Sequence, residues 1–176
     1  MPIVVAACTF LPRAEAQTKF PPGFTAESIG SQWEVPVGVA FAGANLIFVA
    51  EKSGRVWVVE QGIKSDQPLL DLTMEALNNG DRGLLGIAAD PDFATNGFLY
   101  LLVVVDPNSD GADGEQEAFS RLVRYTVTQD GEGRYVIDPA SRLVLIGDTF
   151  ATGIPSCHWS HSIGTIRFMS DGSLLG

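Results

Sequence analysis

Residues 85–100, with the sequence LGIAADPDFATNGFLY, contain two short apolar strands joined by a turn rich in Asp, Pro, Asn and Gly. The same design recurs at residues 37–49 (VGVAFAGANLIFV) and at residues 163–175 (IGTIRFMSDGSLL). Each copy begins with an apolar residue followed by glycine, and each turns at Asn, Asp or Gly. Apolar runs bounded by such turn residues are typical of β-hairpins. The sequence therefore predicts three copies of one hairpin.

The copies are spaced like the units of a repeat protein. Their shared glycines, Gly38, Gly86 and Gly164, are roughly 48 and then roughly 78 positions apart. Repeats of about 40–50 residues are typical of β-propeller blades. We therefore predict a propeller in which the longer second interval contains an inserted loop.

Two further predicted strands follow each of the first two hairpins. They are residues 54–60 and 67–72 in the first unit, and residues 120–127 and 141–146 in the second. Four strands per unit is the composition of a propeller blade, so we predict an all-β fold of this kind. A β-sandwich is the alternative, because it also consists of many short strands with regular turns.

The third unit ends soon after its second strand begins. The chain is therefore predicted to contain about the first two and a half blades of a longer propeller, within a domain that covers residues 17–176. Because each blade of a repeat fold is stabilised by its neighbours, we expect this part not to fold well in isolation.

The first residues are typical of an export signal. Residues 2–11 are apolar, and the small-x-small pattern Ala14-Glu-Ala16 resembles a cleavage site, which predicts a signal-peptide remnant over residues 1–16. We accordingly expect a secreted or periplasmic protein without a transmembrane segment. Two alternatives are a frayed apolar tail and a weak lipoprotein pattern at residues 5–8, with a lipid anchor at Cys8.

Composition excludes some classes of partner. The chain has 176 residues, 45% of them hydrophobic, and a formal net charge of −10. This charge argues against binding to nucleic acid, which requires a basic surface, and against binding to anionic membranes. The negative charge is compatible with a neutral small-molecule substrate.

Three ordered motifs resemble one known family. Residues 79–93 (NGDRGLLGIAADPDF) precede the NGFLY sequence that ends at residue 100, residues 120–125 read SRLVRY, and residues 161–172 read HSIGTIRFMSDG. Together they resemble the soluble quinoprotein glucose dehydrogenases, also called glucose/sorbosone or aldose sugar dehydrogenases. The resemblance extends over about residues 20–176.

This resemblance implies a six-bladed β-propeller that binds pyrroloquinoline quinone (PQQ) near its axis, with calcium beside it. The expected reaction is PQQ-dependent oxidation of an aldose sugar or a related alcohol, with His161 as the catalytic base. An imidazole suits that task because it exchanges protons near neutral pH. The resemblance places cofactor contacts at Asp81, Arg82 and Ser160. The family commonly has Gln in the first of these loops and Asp or Asn at the position of Ser160.

A second metal-binding pattern lies between two predicted strands. Residues 106–117 (DPNSDGADGEQE) match the calcium-loop pattern D-x-N-x-D-G-x₅-E, which makes Asp106, Asn108, Asp110 and Glu117 candidate ligands. The helices that flank such loops in EF-hands are not predicted here. The alternative is a solvated acidic loop.

Two other functions stay open at this point. Ser160 and the Asp81-Arg82 loop favour a non-catalytic propeller that binds proteins or carbohydrates. A metal-dependent lactonase-type propeller would require Glu, Asn and Asp ligands facing the axis, and these blades do not supply them.

Overall fold

The structure, a computed structural model, describes residues 21–108, 117–158 and 160–176. The predicted signal-peptide remnant (residues 1–16), including Cys8, lies outside these residues, and so does Asp110 of the predicted calcium loop. Within the described ranges, no helix is both long and apolar enough to cross a membrane.

The first sheet forms from the first repeat and the residues that follow it. It contains β1 (Pro36–Phe41), β2 (Leu46–Glu51), β3 (Arg55–Glu60), β4 (Ile63–Lys64) and β5 (Leu70–Asp71). The first four strands lie side by side in chain order, and β5 also pairs with β3. All pairs are antiparallel. The apolar and β-branched residues of β2 and β3 explain why this segment is extended.

The second sheet is larger and is built around β8. It contains β6 (Leu84–Ala89), β7 (Phe98–Val105), β8 (Ala118–Gln129), β9 (Tyr135–Ile137), β10 (Leu143–Ile146) and β11 (Ile154–Ser156), with a short helix α1 (Phe93–Asn96) between β6 and β7. The strands β6, β7 and β8 are consecutive, and β11, β10 and β9 pair with successive parts of β8. The third repeat forms the hairpin β12 (Arg167–Phe168) and β13 (Leu174–Leu175).

One hydrophobic core joins the two larger sheets. Phe48 of β2, Leu101 of β7 and Val123 of β8 are fully buried within it. The ring of Phe48 lies 5.3 Å from that of Phe93 and 6.4 Å from that of Tyr135, measured between centroids. Full burial of each such side chain stabilises the fold by about 1.5–3 kcal/mol. The contact between the sheets is therefore apolar.

The first strand of each repeat, namely β1, β6 and β12, is called an inner strand below. In both β1 and β6 the pairing register shifts just before the shared glycine. A Cβ atom on Gly38 would lie 2.8 Å from Cγ2 of Ile87 in β6, and one on Gly86 would lie 2.7 Å from the carbonyl oxygen of Gly164. The glycine of one repeat thus faces the first residues of the next repeat.

The observed architecture confirms the all-β prediction and the three hairpins. The predicted strands at residues 54–60, 120–127 and 141–146 correspond to β3, β8 and β10. The strand predicted at residues 67–72 was too long, since only Leu70–Asp71 is paired. The sequence did not predict β4, β9 or β11.

The close approach at Gly86 predicts a large effect of a small side chain. We expect Gly86→Ala to lower the free energy of unfolding by about 1–3 kcal/mol, because its methyl group would overlap backbone that has little room to move. Urea unfolding of the full-length protein, monitored by tryptophan fluorescence, measures this loss. Gly131→Ala is the matched control, because a Cβ atom there meets nothing within 4 Å. Equal stabilities of the two variants would contradict the tight contact.

A carboxylate organises the turn of the second hairpin. Oδ1 of Asp90 accepts hydrogen bonds from the backbone N–H of Asp92 (3.0 Å) and from Nδ2 of Asn96 (2.9 Å). The hydroxyl of Tyr100 donates to Oδ2 of Asp90 over 3.1 Å. Partial burial acts to raise the pKa of this carboxyl, but the three hydrogen bonds outweigh burial and hold the pKa below its ordinary value. The ionised form therefore stabilises the turn.

This pKa shift predicts a dependence of stability on pH. Because the pKa is lower in the folded protein, the stabilisation is complete above about pH 4, the unfolded value, and is lost as the pH falls through the folded value. We expect Asp90→Asn to be less stable than the wild type near neutral pH, with the difference shrinking below about pH 4 in urea unfolding. The exposed Asp66 provides the control Asp66→Asn. A difference that stays constant with pH would contradict this assignment.

Candidate functional site

The predicted site residues lie along one edge of the sheets. The strands β6 and β8 begin at this edge and β7 and β11 end there, because the neighbouring strands are antiparallel. We call it the upper edge. Asp81 and Arg82 precede β6, and Ser160 and His161 follow β11. Asp106 to Asn108, which follow β7, and Glu117, which precedes β8, also lie at this edge.

Arg82 crosses the upper edge of the second sheet. Its side chain is 1% exposed, its Nε donates to Oγ of Ser156 over 3.3 Å, and its Nη2 donates to the carbonyl oxygen of Ser156 over 2.8 Å. The guanidinium group therefore links the start of β6 to the end of β11. The adjacent Asp81 is exposed. These neighbouring residues, both predicted to contact a cofactor, have different surroundings.

Ser156 and Ser162 are the ends of the loop that carries His161. The two hydroxyl oxygens at its ends lie 2.9 Å apart and form a hydrogen bond. His161, the residue before Ser162, is exposed. The structure therefore presents the predicted base to solvent on a loop whose ends are joined.

Ser160 forms its hydrogen bonds inside this loop. Its backbone N–H donates to Nδ1 of His158 over 3.2 Å, and its Oγ lies 2.6 Å from the same nitrogen. Because Nδ1 accepts the backbone proton, the serine hydroxyl is the donor in the second bond. The rings of His158 and His161 have centroids 6.5 Å apart. The hydroxyl predicted to contact a cofactor is thus engaged with His158.

The described ligands of the predicted calcium loop differ in burial. Asp106 is 2% exposed, its backbone N–H donates to the carbonyl oxygen of Glu75 over 2.8 Å, and its Oδ1 accepts the backbone N–H of Asn108 over 3.3 Å. Asn108 and Glu117 are exposed. Among the residues that the structure describes, no group of three or more His, Cys, Asp or Glu side chains could hold a metal. The calcium site stays a prediction.

The three inner strands line a groove with a volume of about 810 Å³. Its walls include Val39 of β1, Ile87 of β6 and Thr165, which lies just before β12. His161 precedes Thr165 by four positions in the chain and lies before the residues of the third repeat that line the groove.

Sequence reasoning missed the network around Glu75. Oε1 of this residue lies 2.6 Å from Nη1 of Arg121 and 2.6 Å from Nη2 of Arg142. Arg121 also donates from Nε to the carbonyl oxygen of Gly147 over 2.6 Å. In the same SRLVRY motif, the guanidinium group of Arg124 lies 3.8 Å from the centre of the Phe98 ring. Both arginines of this motif thus hold neighbouring segments in place.

Ser156 and Ser162 were also missed. Nothing in their local sequence distinguishes them from other serines, because their roles depend on Arg82, which precedes Ser156 by 74 positions. Only the folded arrangement brings these three residues together.

Comparison with known proteins gives one family match and two curated relatives. The family model for glucose/sorbosone dehydrogenase matches residues 33–174. Hedgehog-interacting protein of Homo sapiens is 28% identical over 158 residues, which cover 86% of this chain and 21% of that protein. The Mus musculus protein is 28% identical over 137 residues, with 75% and 18% covered.

Solved structures show the same fold. A glucose dehydrogenase-type oxidoreductase from Thermus thermophilus has a TM-score of 0.56 and 26% identity, with 84% of this chain and 38% of that one covered. The PQQ-bound aldose sugar dehydrogenase of Streptomyces coelicolor has a TM-score of 0.56 and 21% identity, with 84% and 39% covered. These neighbours are β-propeller dehydrogenases. The chain thus spans about two fifths of the solved chains and about a fifth of the curated relatives.

Proposed function

This chain belongs to the glucose/sorbosone dehydrogenase family, and we propose that it forms part of a PQQ-dependent enzyme that oxidises an aldose sugar or a related alcohol. The match over residues 33–174 is the observation that carries this proposal. The exposure of His161, which lies within the matched range, supports it. The sugar and the electron acceptor are left open by the proposal.

We further propose that residues 17–176 are the N-terminal part of a six-bladed propeller. The described residues form two larger sheets and one hairpin, in which successive repeats pack against each other through their inner-strand ends. About two and a half of six blades agrees with the 38–39% of the solved propeller chains that this chain covers. The signal-peptide remnant at residues 1–16 belongs to the same proposal, and with it a secreted or periplasmic location.

The chain itself contributes a proton acceptor to the proposed reaction. When bound, PQQ supplies the acceptor for the hydride that leaves the substrate carbon. The imidazole of His161 takes the proton from the hydroxyl on that carbon, so that a carbonyl group forms there. Exposure of the ring lets a substrate hydroxyl approach it, and the closed loop restricts where it lies.

The described residues fit this proton transfer better than they fit binding of the cofactor's carboxylates. Three positively charged side chains near the upper edge form hydrogen bonds or ion pairs within the protein. Arg82 donates to Ser156, Nζ of Lys52 donates to Oδ1 of Asn78 over 2.8 Å, and Arg55 pairs with a glutamate over 2.9 Å. Of the residues predicted to contact PQQ, Asp81 is the one whose side chain is exposed.

We expect His161→Gln to abolish most of the dehydrogenase activity of the full-length protein. With PQQ, calcium and an aldose present, the rate of dye reduction should fall by about 100-fold or more, because loss of a general base typically costs that much. His158→Gln is the matched control and should lose far less activity, because its ring bonds within its own loop. Full activity in His161→Gln, or no activity of the wild type with any sugar, would overturn the proposal.

We also propose that the loop of residues 106–117 binds calcium and is ordered by it. Its carboxylate and amide oxygens are the ligands that calcium prefers. Since Asp106 lies at the end of β7 and Glu117 precedes β8, a bound ion would join the two ends of the loop.

Calorimetric titration of the purified protein with calcium tests this loop. We expect Glu117→Gln to weaken one class of sites by about tenfold or more, because removing a charged ligand lowers affinity strongly. Glu132→Gln, which removes an exposed carboxylate from another hairpin, is the control. Unchanged binding in Glu117→Gln would indicate a solvated acidic loop instead.

The second candidate function is a non-catalytic propeller that binds a protein or a carbohydrate. The similarity to two Hedgehog-interacting proteins, which bind a protein partner according to their name, favours it. Arg82 and Ser160 form hydrogen bonds within the protein, which also agrees with this second function. Absorbance titration with PQQ separates the two candidates, since a full-length protein that binds no quinone would support the binding module.

A further inference from the structure

We propose that Arg82 and Ser156 are positioning residues for His161 that act through Ser162. The inference deepens the proposed function, because it rests on His161 being the base of the reaction. It differs from the sequence-based prediction, in which Arg82 contacts the cofactor. The observations that carry it are two buried polar side chains, a chain of hydrogen bonds and a loop fixed at both ends.

The first part of the arrangement is rigid. Arg82 and Ser156 are each 1% exposed. The backbone N–H of Arg82 donates to the carbonyl oxygen of Asn79 over 2.9 Å, which fixes the turn before β6. Ser156 is paired with Ala118 of β8, so the acceptor for the guanidinium group is itself part of the second sheet. Both ends of the contact therefore belong to ordered backbone.

The second part of the arrangement connects Ser156 to the loop that carries His161. Oγ of Ser156 accepts a hydrogen bond from Nε of Arg82 and forms a second hydrogen bond with Oγ of Ser162, 2.9 Å away. Beyond the loop, Ile166 is 6% exposed and packs against Ala88 and Leu102. The loop that carries His161 is thus held by a polar contact at the histidine's neighbour and by an apolar contact after it.

This arrangement suits a base that must meet a substrate in one orientation. An exposed histidine on an unrestrained loop would sample many positions, and misplacement by about 1 Å can cost a factor of about 100 in rate. Arg82 would have to leave Ser156 to contact a ligand, because its side chain is 1% exposed.

Kinetics of the full-length protein with PQQ and calcium test the proposal. We expect Ser162→Ala to lower kcat about tenfold with little change in KM or in PQQ affinity, because the base is misplaced while the binding groups are intact. Ser162→Thr keeps the hydroxyl and should recover most of kcat. Ser173→Ala, which removes an exposed serine from the β12–β13 turn, is the matched control and should behave as the wild type.

Arg82→Lys distinguishes positioning from cofactor contact. The lysine keeps the charge but not the two-point geometry on Ser156, so we expect kcat to fall while PQQ affinity, measured by absorbance titration, stays within about twofold. A loss of PQQ affinity with kcat unchanged at saturating PQQ would overturn the proposal in favour of direct contact. An unchanged kcat in Ser162→Ala would also overturn it.

A spectroscopic test does not require activity. In ¹³C-histidine-labelled protein, the signal of His161, assigned with His161→Gln, should shift or broaden in Ser162→Ala and in Arg82→Lys but not in Ser173→Ala. An unchanged signal in both variants would refute the positioning role. If the wild type shows no dehydrogenase activity but these shifts occur, the proposed function fails while the arrangement around His161 stands.

Discussion

The close approach of successive repeats is the constraint on which the rest of the structure depends. Gly38 and Gly86 leave no room for a side chain, since a Cβ atom on either would lie within 3 Å of the next repeat. The inner strands therefore line one groove. Within the second sheet, antiparallel pairing brings the residues before β6, at the end of β7 and after β11 to one upper edge.

Features that depend on neighbouring residues could be predicted from the sequence. The three hairpins follow from apolar runs bounded by turn residues, and the Asp90 turn is closed by groups within ten positions of it. The strands β4, β9 and β11 could not be predicted, because they have two or three residues each and are defined by their pairing partners. In β11 the sequence Ile-Pro-Ser has no strand signature of its own, and β8 determines its extended form.

The candidate site likewise combines features that the local sequence predicts with features that depend on distant residues. The motif around His161 identified this residue from its neighbours in the chain, and the structure shows its ring exposed after β11. The role of Arg82 was not visible, since its acceptor is 74 positions away. The sequence predicted that Arg82 contacts a cofactor, and the structure shows that it is buried with two hydrogen bonds to Ser156. Arg121, bonded to Glu75 and Gly147, gives a second example.

The residues around His161 also indicate which property would distinguish an enzyme from a binding module in this family. An imidazole can accept a proton, but it has no means of accepting a hydride, so His161 alone does not define a dehydrogenase. Lys52, Arg55 and Arg82 are engaged within the protein, and an anionic cofactor requires cations that face it. The same loop would persist in a propeller that binds partners without catalysis, because Ser156, Ser162 and Arg82 hold it without any ligand. Binding of quinone, rather than the presence of His161, therefore decides between the two functions.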